Sequence, residues 1–173
     1  MSQQQGEFIF IMLKPAAAND IKLCNFIKND LTKYGDIKHI RNSVTVDKQK
    51  VLKHYEASKS SLWYPFIVNY FSKKSVNFFI LESPPGQSYL DSDCNRCSFG
   101  KFLKGQVIGP ADICKTRKHH IRRLALKKPT FLLDNLIHSS DNTKEALEEI
   151  RLWYQNEPKV IAEFEKKSIV ISQ

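Results

Sequence analysis

Apolar positions along the chain fall into two patterns. Phe8-Ile9-Phe10-Ile11-Met12-Leu13 is apolar at every position, which predicts a central strand buried on both faces. Lys14-Pro15 ends it. Ile21, Cys24, Ile27, Leu31 and Tyr34 then recur at helical spacing, with Asn19 or Asp20 as the cap and Gly35 as the stop. Ile37–Val46 places Ile40, Val44 and Val46 on one parity and predicts a half-buried strand. Asp47 caps a helix carrying Val51, Leu52 and Tyr55. A second short helix is predicted over Ser61–Phe71, with Leu62, Phe66 and Tyr70 on one side. Ser75–Leu81 reads as a third strand with Val76, Phe78 and Ile80 facing one way. Ser83-Pro84-Pro85-Gly86 breaks the chain. Residues 83–105 form a polar excursion, and 109–130 a long basic loop of the kind that often serves function. Leu132–Ile137 is a short apolar strand. Asp141 or Asn142 then caps a helix presenting Ala146, Leu147, Ile150, Trp153 and Tyr154. The order β-α-β-α-α-β-loop-β-α fits a parallel sheet or a split βαβ, ferredoxin-like sheet, and periodicity does not choose between them.

Composition narrows the class. The 173 residues are 42% hydrophobic and 26% charged, too apolar for a disordered chain and too polar for a membrane protein. No run reaches a bilayer span, and the first residues lack the basic and apolar regions of a secretory signal, so a cytoplasmic protein is expected. The 27 Lys and Arg against 18 Asp and Glu leave a net charge of +9, which calls for an anionic partner. The cysteines are few and scattered, and read as thiols or metal ligands rather than a disulfide framework.

Several residues carry candidate chemistry. His138 ends an apolar strand just before a capped helix, where a scaffold exposes reactive groups. Asn135 and Ser140 flank it with hydrogen-bonding side chains, and Glu149 on the next helix can fold back to orient the imidazole. A histidine held this way can act as a nucleophile toward phosphorus, and the competing reading is a surface histidine beside a helix cap. Lys14 follows the buried strand, at the sheet edge. Lys115, Arg117, Lys118, His119, His120, Arg122, Arg123, Lys127 and Lys128 form a basic run suited to polyphosphate or a nucleic-acid backbone, or simply to water. Trp63 and Tyr64 offer a stacking face or a piece of core. Cys94 and Cys97, with Cys114 and His119 or His120, have the spacing of a zinc set or of a reduced thiol pair in a polar insert.

Together these positions resemble the nucleoside diphosphate kinase family. Phe8–Leu13 with Lys14-Pro15 is similar to the family's first strand and Lys-Pro-Asp motif. His54-Tyr55 matches its His-Tyr pair, and Ile121-Arg122 resembles its Ile-Arg-Gly. Asn135-Leu-Ile-His138-Ser-Ser-Asp141 resembles the Asn-x-Ile-His-Gly-Ser-Asp signature, and Glu149–Tyr154 the helix after it. The resemblance spans residues 7–158, with an insert at about 83–105 and a C-terminal extension at 159–173. It implies a ferredoxin-like α+β fold with an antiparallel four-stranded sheet flanked by helices. It also implies ping-pong transfer of the γ-phosphate of ATP or another nucleoside triphosphate to a nucleoside diphosphate. On that resemblance His138 is the nucleophile, Glu149 its orienter and Ser140 the partner of Glu149. Lys14, Tyr55, Trp63, Arg122 and Asn135 bind nucleotide, with Trp63 at the base-stacking position. Mg²⁺ bridges the β and γ oxygens, no residue is assigned as a metal ligand, and a homo-oligomer is implied.

The chain departs from the pattern. Ala16 replaces the family's Asp, Gly105 its phosphate-binding Arg, Ala111 its phosphate-binding Thr, and Ser139 the Gly after the histidine. Lys104, Lys115 or Arg117 could substitute. Three functions stay open: an active kinase, a kinase-like interaction or regulatory module with weak or no turnover, and a basic nucleic-acid-binding protein acting through the loop.

Overall fold

The computed structural model describes residues 5–93, 95–127 and 134–171. The fully apolar Phe8–Leu13 forms β1, and every residue of it is buried. A strand can be apolar on both faces only if both faces are covered. Here Phe8, Phe10 and Met12 enter one hydrophobic cluster, and Ile9, Ile11 and Leu13 the other. Pro15–Ala18 (α1) follows, then α2 (Ile21–Leu31), whose cap is Asp20 accepting the Leu23 N–H. β2 (Asp36–Thr45) leads to α3 (Lys48–His54), α4 (Tyr64–Phe71) and β3 (Ser75–Glu82). After an insert, the chain adds β6 (Ile137–Ser139), α6 (Thr143–Trp153) and α7 (Pro158–Ile171).

The main sheet has the order β2-β3-β1-β6, and every pairing in it is antiparallel. This is the ferredoxin-like alternative, not the parallel one. Its register sets Met12 opposite Phe78 on one side and opposite His138 on the other. β3 shares the double burial of β1: Val76, Phe78 and Ile80 join the first cluster, Phe79 and Leu81 the second. α3, α4, α6 and α7 cover the first face; α1, α2 and the insert cover the other.

Three expectations needed correction. The helix predicted over Ser61–Phe71 starts at Tyr64, with Pro65 in its first turn. Its buried stripe is Tyr64, Ile67, Val68 and Phe71, whereas Leu62 and Phe66 are exposed. Both sets have helical spacing, and packing against Tyr55 and Lys14 selects the first. In β2 the expected parity fails at Ile40, which is exposed while Val46 is buried. Positive φ at His39 and Ser43 coincides with two register shifts that reset the alternation. The strand expected over Leu132–Ile137 begins only at Ile137; residues 132 and 133 lie outside the described residues. Leu136, at φ 72°, turns the chain just before it, and its N–H is held by Asp134.

The polar excursion is better built than its composition suggests. β4 (Tyr89–Leu90) and β5 (Arg96–Cys97) pair as a hairpin, and α5 (Phe99–Leu103) follows. Tyr89 is buried and packs on Phe99 and Phe102 at 5.0 Å. A single π turn, 104–108, carries α5 into the basic segment, which is two short 3₁₀ turns at Ile113–Lys115 and Ile121–Lys127. α7 docks Phe164, fully buried, edge-on to Phe8 at 4.8 Å, and Lys167 pairs with Glu82 and Glu163. Among the described residues no helix is long and apolar enough to cross a membrane.

Candidate functional site

β1, β6 and α6 meet behind His138. Its strand partner is Met12, so His138 sits on the edge strand β6 directly beside the central β1. Asn142 caps α6 by accepting the Glu145 N–H, and that start point brings Glu149 back over β6. Glu149 Oε1 lies 2.6 Å from His138 Nε2, and Glu149 Oε2 accepts the Ser140 hydroxyl at 2.7 Å. Ser140 Oγ in turn accepts the Phe10 N–H at 2.9 Å, tying the site to the central strand. A carboxylate at Nε2 makes that nitrogen the N–H donor. The lone pair is then on Nδ1.

Burial holds His138 well below the usual histidine range, and the positive charges of Lys14, Lys104 and Arg122 reinforce the shift. The ring is therefore neutral and nucleophilic near pH 7. Burial also pushes Glu149 up to about 7, against the pull of His54, the Ser140 hydrogen bond and Lys104. His54 stands beside both, its ring centroid 4.5 Å from that of His138. Its Nδ1 accepts the Trp153 indole N–H at 3.2 Å, and desolvation lowers it to about 3. Ligand atoms of His54, His138 and Glu149 lie within 4.8 Å of one another, which makes them the group of potential metal ligands found among the described residues.

In front of His138 opens a cavity of about 370 Å³. Its wall contains Lys14, Tyr55, Trp63, Arg122, Asn135 and His138, the residues singled out from sequence as nucleophile and nucleotide ligands. Lys14 follows β1 directly, and its backbone N–H donates to Leu136 O at 2.8 Å. Burial and the nearby Arg122 lower its ammonium to about 7, while Asp134 pulls the other way. Arg122 is buried, forking onto Ile137 O through Nε and Nη2 and onto Gly109 O through Nη1. Those bonds fix the guanidinium plane, the arrangement that suits phosphate. Asn135 Nδ2 donates to Ala111 O at 2.9 Å, and its Oδ1 is buried with no hydrogen-bond partner. The Tyr55 hydroxyl is likewise buried and unpartnered, and burial raises its pKa. Trp63 meets Tyr55 edge-on at 6.3 Å and is half-buried at the cavity mouth.

The departures fall on this wall. Ala111 lines the cavity with a methyl group, and Lys104 lines it beside Ala111. Lys104 pairs with Asp141. Gly105 faces away: a Cβ there would meet nothing within 4 Å. Lys115 and Arg117 line the neighbouring cleft, so among the suggested substitutes only Lys104 shares the cavity with Arg122.

The zinc set does not come together. Cys94 lies outside the described residues, as does Lys128. Cys97 and Cys114 are free thiols, and His120 Nδ1 accepts the Arg117 N–H. Sequence reasoning missed Asp134. It is buried, accepts the Ala16 N–H and the Tyr70 hydroxyl at Oδ2 and the Leu136 N–H at Oδ1, and so braces the turns carrying Lys14 and Asn135. A lone Asp beside Asn135 gives no sequence signal for that role.

The Nucleoside diphosphate kinase family model matches residues 7–159. Similar solved structures include a nucleoside diphosphate kinase family protein from Babesia bovis, at 16% identity and TM-score 0.65 over 87% of this chain and 90% of that one. The nucleoside diphosphate kinase of Aquifex aeolicus is 22% identical, with TM-score 0.63 over 84% of this chain and 93% of its own. That of Halobacterium salinarum, solved in complex with CDP, is 20% identical, with TM-score 0.65 over 86% and 87%. A search of curated proteins finds no match. At these identities the structures speak for the fold, while the family match extends across nearly the whole chain: this protein belongs to the nucleoside diphosphate kinase family.

Proposed function

We propose that this protein transfers the γ-phosphate of a nucleoside triphosphate to a nucleoside diphosphate in two steps through phosphohistidine. The observation that carries the reading is the Ser140–Glu149–His138 hydrogen-bond chain opening on a cavity lined by Lys14 and Arg122. In the first step the Nδ1 lone pair of His138 attacks the γ-phosphorus. The N–P bond forms, the P–O bond to the β-phosphate breaks, and the nucleoside diphosphate leaves with the electron pair. In the second step a terminal oxygen of an incoming diphosphate attacks the same phosphorus, and the N–P electrons return to His138.

Phosphoryl transfer depends mainly on positioning and charge stabilisation. Glu149 holds the Nε2 proton and stabilises the positive charge that the ring acquires when Nδ1 is phosphorylated. Lys14 and Arg122 face the phosphates. Asn135 Oδ1 and the Tyr55 hydroxyl, both unpartnered, are available to the sugar and the phosphates. Trp63 stacks the base at the mouth. The CDP bound to the Halobacterium protein supports a nucleotide as the ligand. Among the described residues the cavity wall has no carboxylate, so Mg²⁺ fits as a companion of the phosphates rather than as a protein-held ion. When bound it supplies neutralisation of the β and γ oxygens. A homo-oligomer is supported by Ile21 and Phe26 on α2 and Ile40 on β2, exposed on elements that Lys28 and Asn42 tie together.

The methyl of Ala111 and the open position at Gly105 favour a second reading, a kinase-like module with weak turnover. Incubation with γ-labelled ATP followed by alkaline gel analysis separates the two. The first reading expects acid-labile label on the wild type and none on His138→Ala. An unlabelled wild type would overturn it.

A further inference from the structure

The basic segment sends Arg122 into the reaction cavity and leaves its other cations elsewhere. Lys115 and Arg117 instead line a separate cleft of about 510 Å³, on the other side of the π turn at 104–108. Lys101 and Lys104 complete a ring of four positive side chains around it. Lys104 lines both spaces and stands between them.

These charges are loosely engaged. Lys101 and Lys115 sit 3.6 Å from Asp91 and Asp112, with 65% and 76% of their side chains exposed. Arg117 makes no ion pair among the described residues. The acidic residues in the wall are Asp91 and Asp93, and Asp91 is already committed to the hairpin turn, accepting the Asp93 and Asn95 N–H groups. With Lys104 paired to Asp141 and Lys115 near Asp112, Arg117 is the cation of the cleft without an ion pair among the described residues.

His120 adds an observation independent of surface charge. It lines the cleft and is 4% exposed. Its Nδ1 accepts the Arg117 N–H, which leaves the proton on Nε2; Nε2 is buried and lacks a well-formed hydrogen bond, with the Gly105 backbone close enough to raise its pKa against the lowering by burial. A buried N–H donor without a good acceptor is unfavourable, so an acceptor brought here is favoured. The half-buried Phe102, packed against Tyr34 and Tyr89, adds a small apolar wall.

We propose that this cleft is a second binding site, distinct from the reaction cavity, for a ligand with several linked phosphates. Lys115 and Arg117 contact the outer phosphates, and His120 donates from the floor. Free polyphosphate and the backbone of a single-stranded nucleic acid share that chemistry, and phosphate contacts of this kind are read mainly through charge.

The test uses the full chain with saturating ADP and Mg²⁺, so that the reaction cavity is filled. Binding of labelled oligothymidylate and of inorganic tripolyphosphate is measured across a salt series, and His138 labelling is followed on the same samples without ADP. Either probe should bind in the presence of ADP; oligothymidylate binding more tightly than tripolyphosphate assigns the site to a nucleic-acid backbone, and the reverse to free polyphosphate. The Lys115→Ala/Arg117→Ala variant should bind about tenfold more weakly, with a shallower salt dependence, by ~0.7 in slope for each lost contact to a single strand. Both residues are exposed, and its His138 labelling should match the wild type. Loss of wild-type binding on adding ADP, no binding of either probe, or unchanged affinity in the variant would each overturn the second site. A missing His138 label would instead count against the kinase reading alone.

Discussion

The two walls of the reaction cavity are built differently. The His138 wall rests on β1, β6 and α6, and its Ser140–Glu149–His138 chain is anchored to Phe10 in the centre of the sheet. The opposite wall, residues 104–127, is made of a π turn and two short 3₁₀ turns. The first wall keeps the family-like His138, Ser140 and Glu149 and departs at Ser139. The second holds Ala111 where a hydroxyl is expected and sends two of its cations to another cleft. Regular elements with satisfied hydrogen bonds restrict which side chains fit, whereas irregular turns tolerate change as long as their own backbone stays paired. Arg122 spans this difference: it sits in the tolerant wall, but its guanidinium is tied to Ile137 O in the strict one.

Breaking the strict wall should have the largest effects. His138→Ala removes the proposed nucleophile and should abolish phosphate transfer and labelling, read on alkaline gels. Glu149→Ala frees the imidazole from its fixed tautomer and should lower kcat by about 10²-fold, the scale of lost orientation, with a smaller change in KM. Steady-state kinetics would show the split. Repairing the tolerant wall should have a smaller effect of opposite sign. Ala111→Thr returns a hydroxyl to the cavity and should raise kcat/KM by up to about tenfold, since one hydrogen bond to a charged group contributes about 1.5 kcal/mol. An unchanged value would mean that Lys104 already serves that phosphate.

The smallest expected effect is on pH dependence. Lys14 has its ammonium lowered to about 7, so it is charged below that pH and loses its proton as pH rises through it. kcat/KM should therefore decline on the alkaline side of about 7. Lys14→Arg should shift that limb to higher pH. His138, lowered by burial, stays neutral down into the acid range, so the loss on the acidic side should come instead from Glu149, whose carboxylate is pushed up to about 7 and releases the tautomer as it is protonated below that pH.

Much of this was legible in the chain. The double-faced burial of Phe8–Leu13 follows from its unbroken apolar run. Asp20, Asp47 and Asn142 act as caps where the sequence places them. The cluster of His138, Ser140 and Glu149 could be anticipated because Glu149 lies two turns into a helix whose start is marked by its cap. Asp134 could not, because its partners Ala16 and Tyr70 are distant in sequence and nothing in its neighbours signals them. The zinc reading rests partly on Cys94, outside the described residues; among those described, Cys97, Cys114, His119 and His120 form no group of potential ligands.

By itself the sequence determined β1, α2, α3, β3 and α6, because periodicity and capping are carried by residues three or four positions apart. Periodicity left the strand order open and the family resemblance implied the antiparallel one; tertiary structure alone decided the stripe of α4 that turns inward, the start of β6 at Ile137, and the cations that enter each cleft. Each of these depends on a choice between locally equivalent alternatives. The choice is made by contacts such as Ser140 on Phe10, 130 residues away, which exist only once the sheet has closed.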